Sequence, residues 1–519
     1  MSSNRYYVTT AIPYVNARPH IGHAVLLILA DVLARHHRQC SDDTWSLTGT
    51  DDNSLTNVLA AEAEKLPVQA LVDRNAAYFQ ALGAALGLSF DDFIRTSGNP
   101  MHAGGAEKLW LACDHAGDVY RRHYQGLYCV RCERFYTEDE LFNRCCPTHG
   151  QPVEVVAEEN YFFRLSRYSS DLLRLLESGQ LRIIPETRQA EVVRFIQGGL
   201  QDFSISRSQS RARGWGIPVP GDTGQVMYVW FDALCNYITA LDYAGGGGLY
   251  QRYWLENPYR VHVIGKDLLR FHAVYWPAML LSAGQPVPTT IYVHEFFTVK
   301  GQKMSKSRGN VIDPIPLVEQ LGVDGLRYCL LRELPRTEDT DLSIERLLAR
   351  YDADLADGLG NLLQRTVSML ARYRASVVPT VGAPLPGAVE MAETARSLSE
   401  RVAGALDAFD FRAALSAIWE LVTRANRFVE EAAPWTLAKR AAAGDSAAAS
   451  QLDGVLYALA ECLRLIACHL LPFLPATADG ICRQLGLASL GGAAWGGLAS
   501  GTIVAAPQPL FPRFNAAAP

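Results

Sequence analysis

The chain has 519 residues, a formal net charge of −6, and 49% hydrophobic against 20% charged residues. That length exceeds one compact core and predicts about three domains of ordinary size, with the composition of a soluble globular protein. No stretch reaches about 18 uninterrupted apolar residues, which excludes a membrane span, and the acidic balance confines any phosphate-binding surface to a local basic patch.

The opening stretch "MSSNRYYVTTAIPY" lacks the apolar core and cleavage site of a secretory signal, so a cytoplasmic protein is expected. Residues 5 to 50 then alternate: "RYYVTTAI" is β-branched and aromatic, "GHAVLLILADVLARHHRQ" has helical apolar spacing, and "TWSLTGTDD" is a short strand ending in a polar turn. This is the start of an α/β unit with a parallel sheet. The segments "YRVHVIG" and "TTIYVHEFFTV" read as two more buried strands, separated by the helix-like "DLLRFHAVYWPAMLLSAG". The sheet therefore resumes after an insertion. Strand signals nearly vanish beyond about residue 325, where long amphipathic repeats predict helices. The expected divisions are 1–114, an insertion at 115–225, a return at 226–325, a connecting region at 326–355 and a helical domain at 356–519. Loops are expected at 244–248, 441–450 and from about residue 490. No internal repeat is evident.

Three stretches carry chemistry. In "YCVRCERFYTEDELFNRCCPTHG", Cys129-x-x-Cys132 is followed by Cys146-x-x-His149, two chelating pairs that can converge tetrahedrally on Zn²⁺. Four protein ligands leave no open position, so the metal would be structural. Cys145 is an alternative to Cys146, although Cys146-Pro-Thr-His149-Gly makes the better knuckle. The remaining cysteines read as small buried hydrophobes. In "VKGQKMSKSRGNVIDP", Lys303, Lys306 and Arg308 stand among Gly301, Ser305, Ser307 and Gly309, a cationic loop suited to phosphate oxygens. Alone it would be an ordinary solvated basic turn. In "AIPYVNARPHIGHA", His20 and His23 flank Gly22 just after the first strand, and such a pair on its own is more often core than site.

Together, "PHIGH" and "KMSKS" in this order resemble the two signatures of class I aminoacyl-tRNA synthetases. Within that class the chain resembles the methionyl-tRNA synthetase family over nearly its whole length, through "GLYCVRCERFYTEDEL", "CPTHG", "WGIPVPGD", "YVWFDAL", "GKDLLRFHAVYWPA", "GVDGLRY", "LGNLLQR" and "APWTLAK". The resemblance implies an α/β fold: a Rossmann-type parallel-sheet catalytic domain split by a zinc-knuckle connective insertion, a stem-contact region at 326–355, and an all-α anticodon-binding domain. It implies ATP with Mg²⁺, L-methionine and tRNA(Met) as partners, with one structural Zn²⁺. His20, His23, Lys303 and Lys306 would be catalytic, and Gly22, Gly265, Asp267 and Ser305 would join them around ATP. Ile12, Tyr14, Trp230 and His272 would wall the methionine side chain, with Asp51 holding the ammonium group. Asn361, Arg365 and Trp435 would read the anticodon, since an exposed indole can stack an unpaired base.

One departure bears on the substrate site. The family usually has "GTDEHG" where this chain has "GTDDNS" at Gly49–Ser54, losing a histidine and a glycine. Asp51 is retained; Asn53 cannot carry charge and Ser54 restricts the turn, so substrate preference and rate are the properties this departure bears on. A paralogue with another amino acid or acceptor, or a non-catalytic tRNA-binding protein, are the competing readings. Intact His20, His23, Lys303 and Lys306 argue against the second. Three arginines in "SISRSQSRARGWGIPVP" have no assignment, and a chain ending at "PLFPRFNAAAP" is expected to be a monomer.

Overall fold

The computed structural model describes residues 4–129, 134–136, 138–147, 150–304, 309–334, 338–382 and 385–513. The chain divides into two compact units, Met1–Phe296 and Phe297–Pro519.

The first unit is built on six parallel strands: β1 (Arg5–Thr10), β2 (Asp43–Thr50), β3 (Asp92–Arg95), β4 (Arg182–Ile184), β5 (Arg260–Gly265) and β6 (Thr290–His294). Their order across the sheet is β3-β2-β1-β5-β6-β4. β1 and β6 are almost wholly buried, which is why their β-branched and aromatic runs show no polar alternation. The helices α1 (Ile21–Gln39), α2 (Leu55–Glu64) and α3 (Val68–Ala85) lie between the first three strands in sequence. The chain winds outward from β1 to β3 and returns at β5 beside β1, so the order reverses between β1 and β5. A crevice at the carboxyl ends of these two strands is the expected ligand position in such a sheet.

The insertion differs from its sequence reading in one respect. Val119–Cys129 and Glu154–Phe163 pair antiparallel at the centre of a separate four-stranded sheet, as a distinct module should. However, β4 lies inside the 115–225 span and pairs parallel with β6, closing the main sheet. The segment "TTIYVHEFFTV" is also not one strand. It breaks after β6, and Phe297–Val299 pairs instead with Gln302–Lys303 and Thr340–Asp341 in a small sheet of the second unit. The division between the two compact units falls at 296/297.

In the second unit, helices Pro386–Asp407, Phe411–Ala432 and Ser446–Leu470 form the core, the last buried along most of its length. Only 443–445 separate the helices at the expected 441–450 loop, because Asp445 accepts from the Ala448 amide and restarts the helix at Ser446. The tail after residue 485 is irregular, as expected, but it is clamped. Buried Glu461 accepts from the Gly496, Gly497 and Leu498 amides, while Arg464 donates to the carbonyls of Leu490, Gly492 and Ala494. No helix among the described residues is long and apolar enough to cross a membrane.

Candidate active site

The loop leaving β1 delivers His20 to the N-terminus of α1, where orphan backbone N–H groups need acceptors. His20 is the N-cap: its Nδ1 accepts from the Gly22 amide at 3.1 Å, and its own amide donates to His23 Nδ1 at 3.0 Å. The two rings stack with centroids 3.9 Å apart, and His23 meets Phe79 of α3 edge-on. A Cβ on Gly22 would lie 2.9 Å from His20 Cε1, so only glycine admits the ring here. Because each Nδ1 accepts an amide hydrogen, each ring must carry its proton on Nε2. The pair thus presents two oriented N–H donors at a helix N-terminus, an arrangement that suits phosphate oxygens.

The residues expected on the methionine side lie on several segments. Tyr14 and Asp51 form a parallel bridge, with the Asp51 amide donating to Pro13 O at 2.8 Å, so the end of β2 is stitched to the loop after β1 that also holds half-buried Ile12. Trp230 lies 6.1 Å from the Tyr14 ring and stacks on Phe271 at 3.8 Å. His272 is buried. Its Nδ1–H donates to Leu268 O at 3.0 Å and its Nε2 accepts from the Tyr237 hydroxyl at 2.7 Å. Burial pushes the His272 imidazole down to about 4 and raises the Tyr237 phenol, so the ring is neutral and the phenol remains a donor. Gly265 ends β5, and exposed Asp267 follows one residue beyond Lys266. Tyr237 and Phe271 were not singled out from sequence; their part depends on contacts across the fold.

The "GTDDNS" turn is well built. Asp51 does not cap α2; Ser54 does, accepting from the Thr56 amide at 3.0 Å with φ −72, a conformation any residue adopts. The lost glycine therefore imposes no strain. Asp52 is fully buried, held by Arg95 at 2.8 Å and by Ser97 at 2.7 Å, and its carboxyl is raised by burial against the opposing pull of Arg95. Asn53 Nδ2 donates to Asp232 Oδ2 at 2.7 Å.

Comparison with known proteins gives the family. Residues 6–152 and 136–367 match the family described as class I tRNA synthetases (M), and residues 378–517 match the anticodon binding domain of methionyl tRNA ligase. The chain is 42% identical over 522 residues to the methionine–tRNA ligase of Brucella suis biovar 1, covering 99% of both chains. It is 43% identical over 518 residues to that of Mycobacterium tuberculosis, covering 98% of each. The solved M. tuberculosis methionyl-tRNA synthetase in complex with methionyl-adenylate matches with a TM-score of 0.94 at 42% identity, over 98% of this chain and all of that one. The chain belongs to the class I methionyl-tRNA synthetase family.

The family's remaining signatures fall as follows. Of the expected zinc ligands, Cys129 and Cys146 are buried in one small core with Tyr136, Leu141 and Val153, while Cys132 and His149 lie outside the described residues. The Cys146 amide donates to Gln151 O and its carbonyl accepts from the Gly150 amide. Cys145 is only half-buried and bridges Phe142 and Pro152. In the cationic loop, exposed Lys303 follows the Lys300–Gly301 turn, where both residues have positive φ; Ser305 and Lys306 lie outside the described residues. In the helical unit, Asn361 and Arg365 are one turn apart on Asn361–Arg374, and Trp435 is 44% exposed at the start of Pro434–Ala442. Arg365 pairs with Glu430 at 2.7 Å, close in sequence to Trp435. The unassigned arginines all have protein partners. Arg207 lies over the Tyr128 and Tyr228 rings, Arg211 pairs with Glu154 over Tyr128, and Arg213 pairs with Glu62.

Proposed function

We propose the following division of labour for the family's reaction, which this chain catalyses: ATP-dependent activation of L-methionine to methionyl-adenylate, then transfer of the methionyl group to tRNA(Met). The methionine carboxylate attacks the α-phosphorus, the bond to the β-phosphate oxygen breaks, and pyrophosphate leaves. His20 and His23 donate their Nε2–H groups to the oxygens on which charge develops, where fixed donors favour the transition state over the bound substrate. Lys303 and Lys306, with Ser305, close on the pyrophosphate; Gly22, Gly265 and Asp267 complete the ATP site, and Mg²⁺ accompanies the nucleotide. Ile12, Tyr14, Trp230 and neutral His272 wall the thioether, which packs well on aromatic edges, and Asp51 holds the ammonium group. The observation that carries this reading is the fixed tautomer of the two motif histidines, set by backbone amides.

In the transfer half, a hydroxyl of the tRNA's terminal adenosine attacks the activated carbonyl carbon and AMP leaves. Asn361, Arg365 and Trp435 read the anticodon: the exposed indole stacks a base and the polar pair bonds its edge. Cys129, Cys132, Cys146 and His149 would hold one Zn²⁺, which would supply a structural cross-link with no open coordination position; the shared core of Cys129 and Cys146 supports this set. The enzyme works as a cytoplasmic monomer. Methionine-dependent exchange of pyrophosphate into ATP, compared across the amino acids, tests the activation half. Exchange driven by another amino acid, or none, would overturn the methionine assignment.

A further inference from the structure

The residue that departs from the family at the substrate turn is not idle. Asn53 Nδ2 donates to Asp232 Oδ2 at 2.7 Å, reaching from the turn that carries Asp51 to helix α4 (Val229–Leu234), which carries Trp230. Further bonds of this turn run to other elements. The Asp51 amide goes to Pro13, the Asp52 amide to Thr96, and the Asn57 side chain to Asp51 O. Asp232 is completely buried and is gripped from its far side by His102 Nε2–H at 2.6 Å, also completely buried on helix Pro100–His115. His102 Nδ1 in turn accepts from the Thr239 hydroxyl at 2.7 Å. A carboxylate with no exposure is stable only when both oxygens are served, and Asn53 serves one of them.

We propose that Asn53 is a positioning residue for the methionine pocket: through Asp232 it fixes helix α4, and with it Trp230, in register with Asp51. The proposal rests on the reading of Trp230 and Asp51 as methionine-binding residues. One side-chain bond then links the wall that meets the thioether to the turn that meets the ammonium group, so the length of substrate between them is held by Asn53. An asparagine amide does this work without a titrating group, where the family's usual histidine would use a ring N–H.

The test is steady-state pyrophosphate exchange on the full chain with N53A, N53H and, as a check on the pocket itself, W230A. Loss of a hydrogen bond to a buried carboxylate predicts that N53A raises the KM for methionine about tenfold while the KM for ATP stays unchanged. N53H should restore the methionine KM, because an imidazole N–H can replace the amide. A methionine KM unmoved in N53A, even with a lowered melting temperature, would make the contact purely structural and overturn the proposal. So would a parallel rise in both KM values, or failure of N53H to restore. If W230A itself left the methionine KM unchanged, the pocket assignment would fall first, and the proposal with it.

Discussion

Two pairs of histidines in the first unit use the same ring in opposite senses. At the N-terminus of α1, His20 and His23 accept at Nδ1 from backbone amides and present Nε2–H. Buried His262 and His272 do the reverse. His262 Nε2 accepts from Trp276 Nε1 at 3.2 Å with Nδ1–H towards Thr9, and His272 Nε2 accepts from Tyr237 with Nδ1–H towards Leu268. The first pair sits at the N–H groups of a helix N-terminus and the second is buried beside aromatic donors. The tautomer, and hence the role, follows from which donors the fold places nearby.

The largest effect should come from separating the two duties of His20. Asn at this position can still accept the Gly22 amide and cap α1, whereas Ala cannot. His20→Asn should therefore lower the turnover of pyrophosphate exchange by about 10²- to 10³-fold with an unchanged melting temperature. His20→Ala should lose stability as well. Wild-type turnover in His20→Asn would break the contrast, since capping would then be the whole of the residue's work.

The buried pair predicts a pH dependence of stability. His272 is held near 4 by burial, against 6.5 for an ordinary histidine, and His262 is depressed in the same direction for the same reason. The unfolded chain binds protons that the folded chain refuses, so stability is complete above pH 6.5 and declines as pH falls towards 4. His272 alone accounts for up to about 3 kcal/mol of that decline. Melting curves across this window should steepen with acid in the wild type and less so in His272→Gln. Equal slopes would show that the ring is not the group being protonated.

Sequence legibility follows the same division. The turn at the α1 N-terminus could be read because His20, Gly22 and His23 fall within one turn, where the cap and the ring stack are local; the expected zinc pairs rest on short spacings alone, with Cys132 and His149 outside the described residues. The buried contacts could not. Tyr237 and His272 are 35 residues apart, and Asn53 and Asp232 are 179 apart, so no local pattern joins them. The strand β4 has three residues, too few for a period to register, and its place at the sheet edge depends on β6. The break in "TTIYVHEFFTV" was hidden because both halves are apolar; what divides them is a change of pairing partner. The departure at "GTDDNS" could be seen in the sequence, but its consequence could not: the serine costs no strain, and the asparagine's partner is visible only in three dimensions.

A smaller effect isolates the orientation of His272 from its presence. Tyr237→Phe keeps the aromatic packing, including the stack on His262 at 4.1 Å, and removes only the hydroxyl. His272 Nε2 is then a buried acceptor with no phenol to serve it, while Nδ1–H remains on Leu268 O. The ring has two ways to relieve this: it can tilt towards the pocket, or it can take its hydrogen bond from a water admitted beside the substrate. Either change alters the wall that the proposed function assigns to the thioether and leaves the end assigned to phosphate alone. The KM for methionine should therefore rise about tenfold, with turnover at saturating methionine little changed. A loss confined to turnover would instead place Tyr237 with the phosphate chemistry of His20 and His23, and the separation between the two histidine pairs would no longer hold.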